Sequence, residues 1–458
     1  MKKALSLLLA LLVTVALVAC GNGGSAVSQQ PAPQEKSPPA QGGSPQAAPS
    51  EKTLAQQLTV DPNQEVTITV MSMHHTEQRR SLMDQNIALL NEKYPNIKVE
   101  HNPVEDYINA IKMGFDSGDA PDIVYIDDTT QNMLERYDYL MDITDIAKEM
   151  KWADVSKPGS LEYQNVRHPG VIYSAPYISG PRVVWYNKEI FNKLNLNVPT
   201  TLDEFDDVLA KVKEAGYTPF EASIRTTLWH IDGCLFGMVP FEDISKWYYL
   251  EDSTDIYKTG RKEALEKVAE WVERGYFREG ITSIDHNNLN VLFPRGETVF
   301  YVSGASAAGP LASANMDVGA FPFPKKSKDF PTTLVDASDS GWAIRADLPE
   351  EKLAAAVAFI DSFFTEQSAR LWTEGGFVSL LTFDQSDAKV TPQQLAAIQA
   401  CEGAQMGYFL DNAAPGLLDA MEILNARLHL KEITGADYDA LIDQQYEELK
   451  AEELSKRS

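Results

Sequence analysis

The sequence predicts an α/β protein of two domains, each built on a helix-flanked, mainly parallel sheet. Three observations carry this expectation. A chain of 458 residues, 44% hydrophobic and 23% charged, is large enough to bury two or three cores. Between residues 65 and 126 the apolar positions switch from period two to helical spacing and back, twice over, which is a βαβαβ pattern. A second α/β run begins after Gly180-Pro181.

The N-terminus precedes both domains. Lys2 and Lys3 stand before an apolar run from Ala4 to Ala16, the pattern of a secretion signal and too short for a permanent membrane span. Leu17-Val18-Ala19-Cys20 resembles the lipobox of bacterial lipoproteins, in which the cysteine is acylated and becomes the first mature residue. The expectation is a signal peptide over 1–19, a lipid anchor at Cys20 and a place on the outer face of the bacterial cytoplasmic membrane. Residues 21–58 are Gly, Ser, Pro, Gln and Ala with almost no large apolar side chain, so 20–58 reads as a disordered tether.

In the folded body, 66–71 alternates Val, Ile, Val against Thr, Thr and predicts the first strand. Leu82, Met83, Ile87, Leu90 and Tyr94 recur at helical spacing until Pro95-Asn96, and 97–99 is the second strand. Tyr107, Ile108, Ile111 and Phe115 share one face of a helix that stops at Gly118. Residues 121–126 are almost all apolar, which predicts a strand buried on both faces. After Gly180-Pro181, 183–186 is a strand, and Thr201 with Glu204 has the spacing of a capping box. Leu202, Phe205, Leu209 and Val212 form the apolar face of that helix, and Leu265, Val268, Trp271 and Val272 mark another, ended by Gly275. Further strands are expected at 298–302, 318–321 and 341–344, and the stretch 391–449 is largely helical.

Formal net charge is −26, and −28 once Lys2 and Lys3 leave with the signal. Nucleic acid is excluded as a partner, because phosphate binding needs a basic surface. Anionic lipid repels such a body, so acyl chains must do the anchoring. A neutral or cationic ligand is easier to admit than an anionic one. Of three cysteines, Cys234 and Cys401 remain beside Cys20; they could bridge, but two separate buried thiols is the favoured reading. No G-x-S-x-G elbow, H-E-x-x-H or phosphate-cradling glycine loop occurs, so no enzyme and no cofactor is expected. An exported glycoside hydrolase using paired carboxylates is the rival class. Metal capture by His74, His75 and His101 is disfavoured, since adjacent histidines on an extended segment diverge.

Several motifs, in order, carry a resemblance. Tyr107 followed by Gly118-Asp119-Ala120-Pro121-Asp122-Ile123-Val124 is one. Others are Gly170-Val171-Ile172-Tyr173-Ser174-Ala175-Pro176-Tyr177, Trp185-Tyr186-Asn187-Lys188-Glu189-Ile190-Phe191, and Val198-Pro199-Thr200-Thr201-Leu202-Asp203-Glu204-Phe205. Phe293-Pro294-Arg295-Gly296-Glu297-Thr298-Val299 with Ser303-Gly304, and a late helix pair over 354–376, complete the set. Together these cover most of 65–380 and resemble the carbohydrate-binding solute-binding proteins of ABC importers, the family that includes maltose-binding protein. The resemblance implies a two-domain periplasmic-binding-protein-like fold of class II, with three crossings near 177–182, 301–305 and 338–343. The lobes would be 65–180 plus 304–340, and 181–303 plus 341–458. It implies a monomeric receptor that closes on a mono- or oligosaccharide and presents it to the permease. A peptide, a polyol or a metal is the alternative cargo.

Sugar recognition needs aromatic faces for the C–H side of a ring and planar polar groups for hydroxyls. Candidates lie at strand ends, where ligands of such sheets bind. His74 and His75 follow the first strand, and at most one of them faces a ligand. Asp127 and Asp128 follow the third strand, as hydroxyl acceptors or as a helix N-cap. Tyr177 lies at the first crossing, as a stacking ring or as hinge packing. Arg225 and Trp229 lie in a polar stretch where the family often places second-lobe contacts, though Trp229 could equally be core. Trp342 follows Gly341 at the third crossing and is expected to face the cleft. One departure stands out: the family often has an aromatic residue after the glycine of the second crossing, where this chain has Gly304-Ala305-Ser306.

Overall fold

The computed structural model describes residues 52–74, 76–135, 138–163, 165, 170–335 and 340–457. The signal peptide, Cys20 and His75 lie outside the described residues. Residues 54–58, expected as the end of the tether, are folded instead. Leu54–Gln57 forms a helical turn closed by a Thr53/Gln56 capping box, and Leu54, Leu58 and Val60 pack onto the first core.

Strands β1 (Val66–Ser72), β2 (Ile97–Pro103) and β3 (Ile123–Ile126) pair in parallel, with β1 between the other two. The helices Glu77–Lys93 and Tyr107–Ser117 connect them, and Gly118 ends the second at φ 77°, a left-handed conformation that glycine adopts without strain. Asp122 is the acid of the Pro-Asp motif, and its role here is structural. Buried at the foot of β3, it accepts the Thr69 backbone N–H at 2.8 Å and pairs with Lys352 at 2.7 Å.

The chain then forms β4 (Ala175–Ser179), crosses at Gly180-Pro181, and begins β5 (Arg182–Asn187) in a second sheet. That sheet gains β6 (Thr218–Glu221), β7 (Thr298–Gly304) and β8 (Val318–Phe321) in the order β6-β7-β5-β8. A short β9 (Thr333–Leu334) precedes the return. β10 (Ser340–Ile344) inserts between β3 and β4, and β11 (Val378–Ser379) edges the first sheet, giving the order β11-β4-β10-β3-β1-β2. The helices Pro392–Ala400, Leu417–His429 and Gly435–Arg457 follow, with β12 (Gln405–Met406) paired to β9.

Strand pairing corrects the expected lobe boundaries. β8 lies beside β5 and β10 lies between β3 and β4, so 304–335 belong with the second sheet and 340–383 with the first. The crossings fall at 180–181, between 335 and 340, and between 383 and 392. Residues 301–305 are not a crossing, because β7 runs through the Ala308–Ser313 helix into β8 of the same sheet. Parallel pairing holds within β1–β3 and between β6 and β7, whereas β5 and β10 run antiparallel to their neighbours, so both sheets are mixed. A strand that enters from the other lobe starts at the edge where its neighbours end, and must run against them.

Each lobe has its own core. The first includes Trp152, Trp342, Trp372, Phe359 and Phe363. The second includes Phe205, Phe220, Trp271, Phe300 and the C-terminal Tyr438 and Tyr446. A smaller cluster with Val183, Trp185 and Tyr301 covers the other face of the second sheet. Cys234 and Cys401 are buried thiols in these two different clusters, on opposite faces of one sheet, so they do not bridge.

Candidate functional site

The two sheets meet end to end at the crossings. β4 ends at Ser179 and β5 begins at Arg182, whose backbone N–H donates to the Val335 carbonyl at 2.7 Å, tying two crossing segments together. The ends of β3 and β4 therefore oppose the start of β5 and the end of β7.

On the second-lobe side, Ser223 caps the Ile224–Met238 helix through a capping box with Thr226. This sets Arg225 and Trp229 on its first two turns, at the end of β6. The Arg182 guanidinium carbon lies 4.4 Å from the ring centre of Trp229 and 4.4 Å from that of Phe409. Arg182 Nη1 also donates to the Gly180 carbonyl at 2.6 Å. Arg225 donates to Glu422 at 3.0 Å and lies 3.7 Å from Asp411. Burial pushes the Asp411 carboxyl up, and the Arg225 and Arg182 charges oppose that. Of the seven tryptophans, Trp229 alone is partly exposed, the other six being no more than 2% exposed. Arg225 and Trp229, expected as second-lobe contacts, thus lie beside Arg182 at the crossing, with Trp229 partly exposed.

On the first-lobe side, three expected contacts are core residues instead. His74, Tyr177 and Trp342 are 0%, 1% and 0% exposed. His74 Nε2 bonds the Tyr177 hydroxyl at 3.1 Å, and its ring packs within 6 Å of Tyr125, Trp342 and Trp372. The Tyr177 and Trp342 rings stack at 6.2 Å. β10 is a central strand, and Trp342 points from it toward Phe359 and Phe363 of the Glu350–Ser362 helix, away from any opening. The reading of Trp342 as a cleft-facing platform is thus corrected, and Tyr177 takes the packing alternative. Asp127, half-buried at the end of β3, takes the capping role: its Oδ1 accepts the Thr130 backbone N–H at 2.8 Å and the Thr130 hydroxyl. Asp128 opens the Asp128–Glu135 helix.

A groove of about 820 Å³ lies beside these strand ends, between Leu161, Asn165 and Ile172 of the first lobe and Phe241, Gln405 and Tyr408 of the second. None of the strand-end residues lines it. Its walls mix apolar Ala147, Ala153, Val171 and Met406 with polar Lys157, Ser160, Asn165 and Gln405. The strand ends combine aromatic rings with planar charged groups.

Arg182, Phe409 and Asp411 were not among the sequence candidates. Arg182 had a signal, because it directly follows the Gly180-Pro181 crossing. Phe409 and Asp411 had none: they lie at a single 3-10 turn, Leu410–Asn412, between the Pro392–Ala400 and Leu417–His429 helices, in a region whose composition reads as helix throughout. Among the described residues, no group of three or more His, Cys, Asp or Glu could hold a metal ion, and no helix is long and apolar enough to cross a membrane.

Comparison with known proteins adds relatives and a family. The chain is 25% identical over 249 residues to an ABC transporter extracellular-binding protein of Pyrococcus horikoshii, a match covering 51% of this chain and 55% of that one. It is 22% identical over 299 residues to the multiple sugar-binding protein of Streptococcus mutans, covering 62% and 68%. It is 23% identical over 236 residues to the sn-glycerol-3-phosphate-binding periplasmic protein of Rhizobium meliloti, covering 48% and 52%. The chain thus spans about half to two thirds of the length of these relatives. Its fold is like that of RafE from Streptococcus pneumoniae in its apo form (TM-score 0.70, 19% identity, 86% of this chain and all of that one). It is also like RafE in complex with raffinose (TM-score 0.65, 19% identity, the same coverage). Residues 75–370 match the family described as bacterial extracellular solute-binding protein, and with well over half its length inside that match, the chain belongs to this family.

Proposed function

We propose that this protein is the receptor of an ABC importer, capturing a mono- or oligosaccharide between its lobes and delivering it to the permease. The observation that carries the reading is the second-lobe wall at the crossing. There Trp229 keeps part of its ring surface in solvent beside Arg182 and Phe409, and Arg225 and Glu422 supply planar polar groups. The names of the Streptococcus mutans relative and of the raffinose-bound RafE favour a sugar.

The Rhizobium meliloti relative, named for sn-glycerol 3-phosphate, supports a second reading. Arg225 is already matched by Asp411 and Glu422, which favours an uncharged solute over a phosphate ester. Binding without turnover distinguishes the receptor from a hydrolase. Acylation of Cys20 would hold the protein on the outer face of the membrane, as a monomer. Replacement by alanine (Cys20→Ala) should then leave it unprocessed or release it to the medium.

A thermal-shift panel of sugars, glycerol 3-phosphate and a peptide tests the assignment. A ligand at 100 times its Kd stabilises the folded state by about 2.7 kcal/mol. The reading predicts such a shift with at least one sugar, recovered chemically unchanged. It fails if only the phosphate ester or the peptide raises the midpoint.

A further inference from the structure

Arg182 occupies a place that a ligand ring would fit. Its guanidinium is laid between two aromatic faces, 4.4 Å from the centre of each. A flat group at that distance contacts both rings, whether it is a guanidinium or the C–H face of a sugar. The side chain is held there from the crossing: Nη1 donates to the Gly180 carbonyl at 2.6 Å, and the backbone N–H donates to Val335. Gly304 makes room for it, since a Cβ there would stand 3.0 Å from Nη1. Arg182, Trp229 and Phe409 all keep part of their surface in solvent, so the slot is not sealed in the core.

We propose that Arg182 is a plug that fills an aromatic slot between Trp229 and Phe409, and so limits how many sugar rings the cleft accepts. The proposal rests on the reading of the strand-end cleft as the sugar site. It explains why the slot is not already a stacking subsite. It also gives Gly304 a purpose, because a Cβ there would press on the plug at 3.0 Å from Nη1.

Two variants of the full chain test it, Arg182→Ala, which empties the slot, and Arg182→Met, which keeps an uncharged plug of similar length. The first readout needs no ligand. Trp229 is the only partly exposed tryptophan, so acrylamide quenching of the accessible indole fluorescence reports its face. Arg182→Ala should raise the quenching constant, and Arg182→Met should raise it less. The second readout is affinity for galactose, melibiose, raffinose and stachyose, a series that grows by one ring at a time. Arg182→Ala should shift the preference toward a longer member by about tenfold, the order expected from contact with two aromatic faces. Arg182→Met should shift it less.

Unchanged quenching in Arg182→Ala overturns the plug whatever the sugars do. An equal loss of affinity for every member in both variants also overturns it, and makes Arg182 a direct ligand contact. If no member of the series binds the wild-type protein but quenching rises in Arg182→Ala, the plugged slot stands and the sugar reading falls.

Discussion

His230 should make the second lobe acid-sensitive. Its ring is buried on the Ile224–Met238 helix against Phe220 (4.8 Å) and Phe277 (5.2 Å), and Nδ1 donates to the Thr226 carbonyl at 2.9 Å. Burial lowers its pKa from 6.5 to about 4, opposed by the Thr226 bond and aided by nearby His429. As pH falls, the unfolded chain takes up this proton first, so the contribution is complete above about 6.5 and is lost on the way down to 4. The interval corresponds to about 3 kcal/mol for a group this deeply buried. Glu221, Asp232 and Asp411 act in the opposite direction, because burial raises their carboxyls and the folded state holds their protons longer. The comparison must therefore be with a variant rather than with a bare pH curve. His230→Asn keeps a side-chain donor near Thr226 and cannot titrate. Urea unfolding at intervals from pH 7.5 to 4.0 should show the wild type losing about 3 kcal/mol more than the variant, most of it below pH 6. Parallel curves for the two proteins would refute a neutral, buried His230.

Trp342→Ala should cost about 3–5 kcal/mol of stability as a core deletion. Trp229→Ala should leave stability within about 1 kcal/mol and weaken ligand binding about tenfold; paired urea curves and titrations separate the two, and the reverse pattern would put Trp342 in the cleft. Arg261 is buried between Asp439 (2.7 Å) and Asp443 (2.8 Å), bolting the Asp255–Glu273 helix to the Gly435–Arg457 helix. Arg261→Met strands a half-buried carboxylate and should cost about 3 kcal/mol in urea unfolding; a loss below about 0.5 kcal/mol would assign the pair to solvated surface. Reductant should leave the thermal midpoint unchanged, and native Cys234 and Cys401 should resist a thiol reagent until the chain unfolds. A midpoint that drops with reductant would reveal a bridge.

Both lobes were legible where their signals are local. The period-two run at 66–71, the helical face ending at Gly118 and the Thr201/Glu204 capping box appear where the sequence places them. β4 was not recognised as a strand because all five of its residues are buried, which removes the alternation. The exchange of 304–335 with 340–383 was invisible for a different reason. β8 and β10 are short apolar strands of similar composition, and only their partners decide the lobe to which each belongs. The site failed in the same way. A histidine after a strand reads as a polar loop residue, but His74 is enclosed by Tyr125, Tyr177, Trp342 and Trp372, drawn from four distant parts of the chain. Sequence spacing cannot report such an enclosure. Phe409 and Arg182, 227 positions apart in sequence, meet only through the fold.

Closure on a solute is the property on which the proposed capture and delivery rest, and small-angle X-ray scattering measures it directly. Profiles of the protein alone and with the sugar that most raises its thermal midpoint should differ, with a smaller radius of gyration in the bound state as the two lobes come together. Superimposable profiles at saturating sugar would contradict a receptor that works by closing its lobes.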